Sequence, residues 1–83
     1  MKEVLVEVFV PTINKTYDIY IPIQFPLFKI KKMIGKSVSE LSMGQYAWDN
    51  EVILCNREDG SILNINLSAI ELDIKDGARL MLI

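Results

Sequence analysis

The 83-residue sequence predicts an α+β fold, in which one main helix packs across a mixed sheet of four to five strands. Residues 3–10 and 16–21 predict strands, because every second residue in each segment is apolar. After Pro26 the apolar residues recur in steps of three and four, which places them on one stripe of a helix. A chain of this length has room for one hydrophobic core, so we expect residues 1–83 to form a single domain.

The first two strands are predicted to form an antiparallel hairpin. In strand one, the even positions from Val4 to Val10 are all valine, while the odd positions from Glu3 to Phe9 alternate between acidic and apolar residues. A turn-like interval at 11–15 leads into strand two, where residues 17, 19 and 21 point to one side and residues 16, 18 and 20 to the other. The valine face is therefore expected to meet the core.

The main helix is predicted to begin near Pro26, because the missing N–H of proline costs nothing in the first turn. Gly35 lies inside this helix and weakens it by about 1 kcal/mol relative to alanine. Gly44 is expected to stop the helix, and Trp48 to fold back as a hydrophobic plug within a loop at 42–50. The residues expected on the stripe that packs on the sheet are Leu27, Ile30, Ile34, Val38 and Leu41.

The second half of the chain predicts shorter elements. A third strand is expected over Glu51–Cys55, then a turn at Asp59-Gly60, and a short fourth strand over Ile62–Ile65. An irregular or short-helical stretch at 67–74 precedes the turn Asp76-Gly77, which leads into a final strand with Leu80 and Leu82 on one face. This order of elements is that of the β-grasp fold, in which the first and last strands are parallel neighbours at the centre of the sheet.

Charge and composition exclude several classes of function. Nine basic and eleven acidic residues give a net charge of −2, which argues against nucleic acid as the main ligand. No apolar run approaches the ~20 residues of a membrane span, so we expect no direct membrane insertion. The single cysteine forms no internal disulfide, and the charged start of the chain does not resemble a signal peptide. These features predict a cytoplasmic protein.

The sequence offers no catalytic, cofactor or metal site. It contains no histidine, and its glycines are isolated, with no phosphate-binding Gly-Lys-Ser or Gly-Lys-Thr motif. Cys55 lies in an apolar strand with no adjacent base, so burial explains it better than reactivity. The acidic residues Glu71, Asp73 and Asp76 lack the ligand spacing of a calcium loop. We therefore expect no enzymatic activity and no cofactor.

The helix also carries a group of lysines, Lys29, Lys31, Lys32 and Lys36. A solvated helix face is the simplest interpretation of this group. The alternative is contact with an acidic partner or with the inner membrane leaflet, which would make binding sensitive to salt.

The outer face of the sheet is the predicted docking surface. If the valines of strand one meet the helix, Leu5 and Phe9 must face away from it, beside Tyr20 on strand two and Met81 and Ile83 on the last strand. Contiguous exposed apolar surface often marks a protein-binding site, and the corresponding sheet face is, by fold-level analogy, a common binding face of β-grasp proteins. Homodimerisation through the same surface is the rival interpretation.

Several segments resemble the YukD and EsaB family of small ubiquitin-like proteins. The resemblance is carried by Thr16–Pro22, the pair Pro26-Leu27 and the helix positions Ile30 and Ile34, and the closing segment Ile74–Leu82 looks like that of the same family. Together these segments span nearly the whole chain. The sequence departs from the family at Ala78, where the family often has aspartate, and in the segment 67–72, which is longer than usual.

The resemblance implies a ubiquitin-like β-grasp domain that serves as a cytosolic accessory component of the type VII secretion system, which exports WXG100 proteins. The implied partners are cytoplasmic parts of its membrane subunits, such as the pseudokinase-like subunit or the FtsK-type ATPase. No catalytic residues are implied. The sequence lacks a terminal Gly-Gly, so we expect a non-conjugated adaptor. The alternative is a β-grasp carrier or subunit associated with an enzyme.

Overall fold

A computed structural model describes residues 2–83 and contains the α+β architecture that the sequence predicts. One helix packs on a four-stranded mixed sheet, and a short 3-10 turn joins the first two strands. The elements are β1 (Glu3–Val10), the 3-10 turn (Pro11–Ile13), β2 (Lys15–Pro22), α1 (Leu27–Leu41), β3 (Leu54–Asn56) and β4 (Arg79–Leu82).

The strands lie in the order β2-β1-β4-β3. β1 pairs antiparallel with β2 and parallel with β4, and β3 pairs antiparallel with β4. The first and last strands are thus central neighbours, as predicted. Val8 shows the register well, because it lies opposite Tyr17 on one side and Leu80 on the other.

The core lies between the sheet and α1. All four valines of β1 are buried, and the helix contributes fully buried Leu27, Ile30, Ile34 and Val38. Leu41, the fifth residue predicted on this stripe, is instead 56 % exposed because it is the last residue of α1, where the chain leaves the helix. No helix formed by residues 2–83 is long and apolar enough to cross a membrane.

The segment predicted as a third strand begins later than the sequence suggested. The structure gives Leu54–Asn56 instead of Glu51–Cys55. The side chain of Asp49 accepts a hydrogen bond from the backbone N–H of Glu51 at 2.7 Å. This local bond holds the chain in a turn where the ladder was expected to start.

The predicted fourth strand over Ile62–Ile65 is wrong. The structure has only an isolated bridge between Ile62 and Cys55, followed by turns. The Asn64 side chain accepts a hydrogen bond from the N–H of Asn66 at 3.0 Å and so bends the chain away from β3. The stretch at 67–74 likewise consists of turns, with a bridge between Ser68 and Pro26.

Two residues in left-handed conformation close the C-terminus of α1. Met43 has φ of 55° and donates its N–H to the Glu40 carbonyl, and Gly44 has φ of 84° and donates its N–H to the Ser39 carbonyl at 3.0 Å. These two bonds form a Schellman motif. Gly44 thus helps to terminate the helix, as predicted, although the last helical residue is Leu41.

The loop after the helix folds back so that Trp48 covers Gly35. Gly35 is buried, and a Cβ atom placed on it would overlap Cε3 of the indole and lie 3.0 Å from its Cδ2. Trp48 is half-buried and packs against the core. The glycine that weakens the helix locally therefore makes room for the tryptophan.

Replacing Gly35 with alanine is expected to lower the free energy of unfolding by about 1–2 kcal/mol, because the added methyl group displaces the indole. In a Trp48→Ala background the same change is expected to raise it by about 1 kcal/mol, as helix propensity alone predicts. Urea unfolding followed by circular dichroism measures both. A stabilising Gly35→Ala change in the intact protein would contradict the packing of Trp48 on Gly35.

Candidate docking surface on the outer face of the sheet

The strand register determines which side chains share the face opposite the helix. The odd positions of β1 lie on this outer face, and their neighbours on β2 are Thr16, Asp18, Tyr20 and Pro22. On β4 the outer positions are Arg79 and Met81, and Ile83 follows with the same parity. All five residues of the predicted docking surface therefore lie on one face of the sheet.

Three of these residues, Phe9, Met81 and Ile83, lie at one end of the face. Phe9 is the direct neighbour of Met81 across the parallel β1–β4 pair, and Ile83 lies two positions beyond Met81. Ile83 exchanges two backbone hydrogen bonds with Ile53, at 2.7 and 2.9 Å, so Ile53 lies beside it on the same face. Ile83 is 47 % exposed, whereas Phe9 and Met81 are half-buried.

The other two predicted residues, Leu5 and Tyr20, lie at the opposite end of the face. They are direct neighbours across the β1–β2 pair, and Tyr20 is 63 % exposed. Leu5 precedes Phe9 by four strand positions, which corresponds to about 13 Å. Leu5 is fixed through its backbone, because its N–H donates to Oδ1 of Asp76 at 2.7 Å and its carbonyl accepts the N–H of Gly77 at 2.8 Å.

A row of charged side chains crosses the face between these two ends. Glu7 lies between Asp18 on β2 and Arg79 on β4, and Nε of Arg79 is 3.7 Å from Oε2 of Glu7. The Arg57 guanidinium covers the Phe9 ring, with its Cζ 4.3 Å from the ring centroid. The outer face is therefore two apolar areas separated by charges, and not the single apolar patch that alternation in β1 suggested.

Two further residues of this face, Ile53 and Cys55, were not predicted to lie there, although the predicted third strand contained both. Cys55 lies opposite Met81 and is 1 % exposed, and Ile53 lies beside Ile83. Residues 53 and 55 have the same parity, so alternation alone could have placed them together on one face. Burial raises the pKa of the Cys55 thiol.

Beyond this face, a buried hydroxyl stands out in the loop after α1. Tyr46 is 6 % exposed, and its hydroxyl has no hydrogen-bond partner among the described residues. Burial, and to a smaller extent the charge of Asp49, raises the pKa of this tyrosine. No cluster of three or more potential metal ligands occurs within residues 2–83.

Comparison with solved structures identifies the fold. The chain matches the ubiquitin-like domain of the type VII secretion protein EccD1 from Mycobacterium tuberculosis with a TM-score of 0.76 and 17 % sequence identity, over 100 % of this chain and 99 % of that one. The chain has a ubiquitin-like β-grasp fold. The EccD5 ubiquitin-like domain from Mycobacterium xenopi matches with a TM-score of 0.74 and 21 % identity, over 100 % and 94 % of the two chains.

The same ubiquitin-like fold occurs within a larger assembly. A chain of the MycP5-free ESX-5 inner membrane complex matches with a TM-score of 0.73 and 21 % identity, over all of this chain but only 21 % of that one. Ubiquitin-like domains of other proteins and a ubiquitin from Caldiarchaeum subterraneum match with comparable TM-scores, so the likeness establishes the fold alone. No protein-family model and no curated protein matches the sequence.

We predict that the ubiquitin-like domain loses stability as the pH rises above about 9, the ordinary range of a thiol. In the folded chain the pKa values of Cys55 and Tyr46 are raised. As the pH rises, the unfolded chain therefore releases these two protons first, which stabilises it relative to the folded chain. The stability that these two side chains contribute is fully present below their ordinary pKa values. It is lost as the pH rises through the raised pKa values of the folded chain. Urea midpoints measured from about pH 7 to about pH 11 would show this decline.

The matched control is the double variant Cys55→Val and Tyr46→Phe, which removes both ionisable groups and keeps the side-chain volumes similar. Its midpoint should fall less steeply with pH than that of the unmodified chain. Parallel curves would mean that neither group contributes to the decline.

Proposed function

We propose that this protein is a cytoplasmic, non-conjugated ubiquitin-like adaptor of bacterial type VII secretion, and that it acts by binding proteins and not by catalysis. The observation that carries the proposal is the end-to-end match to the ubiquitin-like domain of EccD1, which leaves almost no part of either chain unmatched. The match to one domain of an ESX-5 inner membrane complex supports the same context. The resemblance to YukD and EsaB, noted from the sequence, supports a place in that family.

The proposed docking surface is the outer sheet face around Leu5, Phe9, Tyr20, Met81 and Ile83. Tyr20 and Ile83 are the most exposed of these residues and lie at opposite ends of the face. A partner that contacts both ends must also pair with the charges between them, since unpaired buried charges weaken binding. The ion pair of Glu7 and Arg79 therefore supplies specificity, while the apolar ends supply burial.

The proposed partners are the cytoplasmic parts of the secretion membrane subunits, either the pseudokinase-like subunit or the FtsK-type ATPase. A second copy of this chain is the alternative occupant. Sedimentation at increasing concentration distinguishes the two, because a homodimer forms without any added partner.

We predict that Phe9→Glu weakens binding to the purified cytoplasmic domain of the partner subunit at least tenfold, because the change places a charge at the apolar end of the face. Ile83→Glu is a second variant with a smaller effect on folding, since this side chain is 47 % exposed. Isothermal titration measures the affinity, and circular dichroism confirms that each variant is folded.

Ile70→Glu is the matched control for Ile83→Glu. Ile70 is 54 % exposed and lies in the turns after residue 67, outside the outer face. It should bind the partner as tightly as the unmodified chain. Undiminished binding by folded Phe9→Glu and Ile83→Glu variants would rule out the outer face as the docking surface.

A β-grasp carrier, activated at its end by an enzyme, is the second candidate function. The backbone oxygen of Ile83 accepts the N–H of Ile53 at 2.7 Å, so an enzyme that modified the backbone at Ile83 would first have to break this pair. We predict an unchanged intact mass after incubation with cell extract and ATP. A covalent adduct on the chain would favour the carrier function over the adaptor function.

A further inference from the structure

A groove of about 380 Å³ lies at the edge of the sheet, between Lys31 of α1, residues 52–54 at the start of β3 and residues 62–65. Six of the eight residues that line it are aliphatic, among them Ile53, Ile62 and Ile65. Its volume is within the range of cavities that hold ligands or the side chains of a bound peptide. None of its residues belongs to the five that define the proposed outer-face surface.

The three isoleucines of this groove are much more exposed to solvent than the residues of the hydrophobic core. Ile62 is 69 % exposed, and Ile53 and Ile65 are each 39 % exposed. Exposed aliphatic surface gains about 25 cal/mol for each Å² that is removed from water. Three such side chains around one recess indicate a surface that gains free energy when an apolar segment fills it.

The charge around the groove defines the partner more closely. Lys31 is the only charged residue among the eight that line it. The helix as a whole has four lysines and one glutamate, whereas the rest of the chain has five basic and ten acidic residues. Neither of the two ion pairs formed within residues 2–83 involves a helix lysine. Lys31 therefore places one positive charge in the wall of the groove, and it forms no ion pair within the described residues.

We propose that this groove is a second docking site, which binds a short segment of a partner protein that carries aliphatic side chains flanked by aspartate or glutamate. The aliphatic side chains would pack on Ile62 and Ile65, and an acidic residue beside them would pair with Lys31. This proposal does not depend on the secretion role or on the outer face.

A polypeptide segment suits this site better than an anionic membrane does. The isoleucines line a recess at the sheet edge, and a flat bilayer surface does not fill a recess. Lys31 also lies in the wall of the groove, half-buried, where a side chain of an inserted segment reaches it. Binding to lipid is nevertheless a measurable outcome of the test.

The test is selection of random peptides of about twelve residues on the folded chain, followed by affinity measurement with the enriched peptides. We expect enriched peptides to combine isoleucine, leucine or valine with aspartate or glutamate, and to bind less tightly as salt increases. Ile62→Ser should weaken their binding roughly tenfold to a hundredfold. Lys31→Glu should shift the selection toward basic peptides.

The matched controls are Ile70→Ser and Lys15→Glu, which make the same chemical changes away from the groove. Lys15 begins β2, at the opposite edge of the sheet from β3. Both controls, and also Phe9→Glu, should bind the enriched peptides with unchanged affinity, so that failure of this site is distinguishable from failure of the outer face.

Four results would overturn the proposal: no enriched peptide, enriched peptides without an acidic bias, equal binding by Ile62→Ser, or loss of binding by Phe9→Glu. Lys31-dependent binding to phosphatidylserine vesicles in place of peptides would identify a lipid surface as the occupant. Concentration-dependent dimerisation that Ile62→Ser abolishes would identify a second copy of the chain. Either of these last two results would also reject the proposed partner.

Discussion

The parallel pairing of β1 with β4 organises this molecule, and a hydrogen-bonded turn sets its register. Asp76 and Gly77 bind both backbone groups of Leu5, through the carboxylate of Asp76 at 2.7 Å and the N–H of Gly77 at 2.8 Å. The Ala78 carbonyl then accepts the N–H of Glu7 at 2.9 Å and continues the ladder into β4. This pairing joins residues 71 positions apart, so all other elements lie within the loop that it closes.

Both faces of the sheet follow from this register. A shift of one residue in β4 would turn Leu80 and Leu82 outward and bring Arg79 and Met81 into the core. In the observed register, Leu80 lies beside Val8 against the helix, while Met81 lies beside Phe9 on the outer face. The hydrophobic core and the candidate docking surface therefore depend on the same few backbone bonds.

The two proposed binding sites differ in chemistry although they border each other at Ile53 and the neighbouring Ile62. The outer face carries both signs of charge between its apolar ends, whereas the groove carries only the positive charge of Lys31. A net charge of −2 conceals this difference, because the positive helix is offset by the acidic remainder of the chain. Two surfaces of different chemistry on one small domain suit an adaptor, which holds two partners at once.

The sequence alone determined the strand pair and the helix, because periods of two and of three to four residues report which face each element buries. The central position of the last strand was predicted from the order of the elements, which is that of the β-grasp fold. The sequence also placed Leu5 and Phe9 on the face away from the helix, since the valines of β1 leave them no other position.

The tertiary structure decided what alternation does not record. Arg57 covers Phe9, and Asn64 turns the chain away where a fourth strand was expected. Arg79 lies beside Glu7 and divides the outer face. Each of these outcomes depends on a partner distant in sequence or on a side chain that competes for backbone hydrogen bonds, and neither leaves a periodic signal.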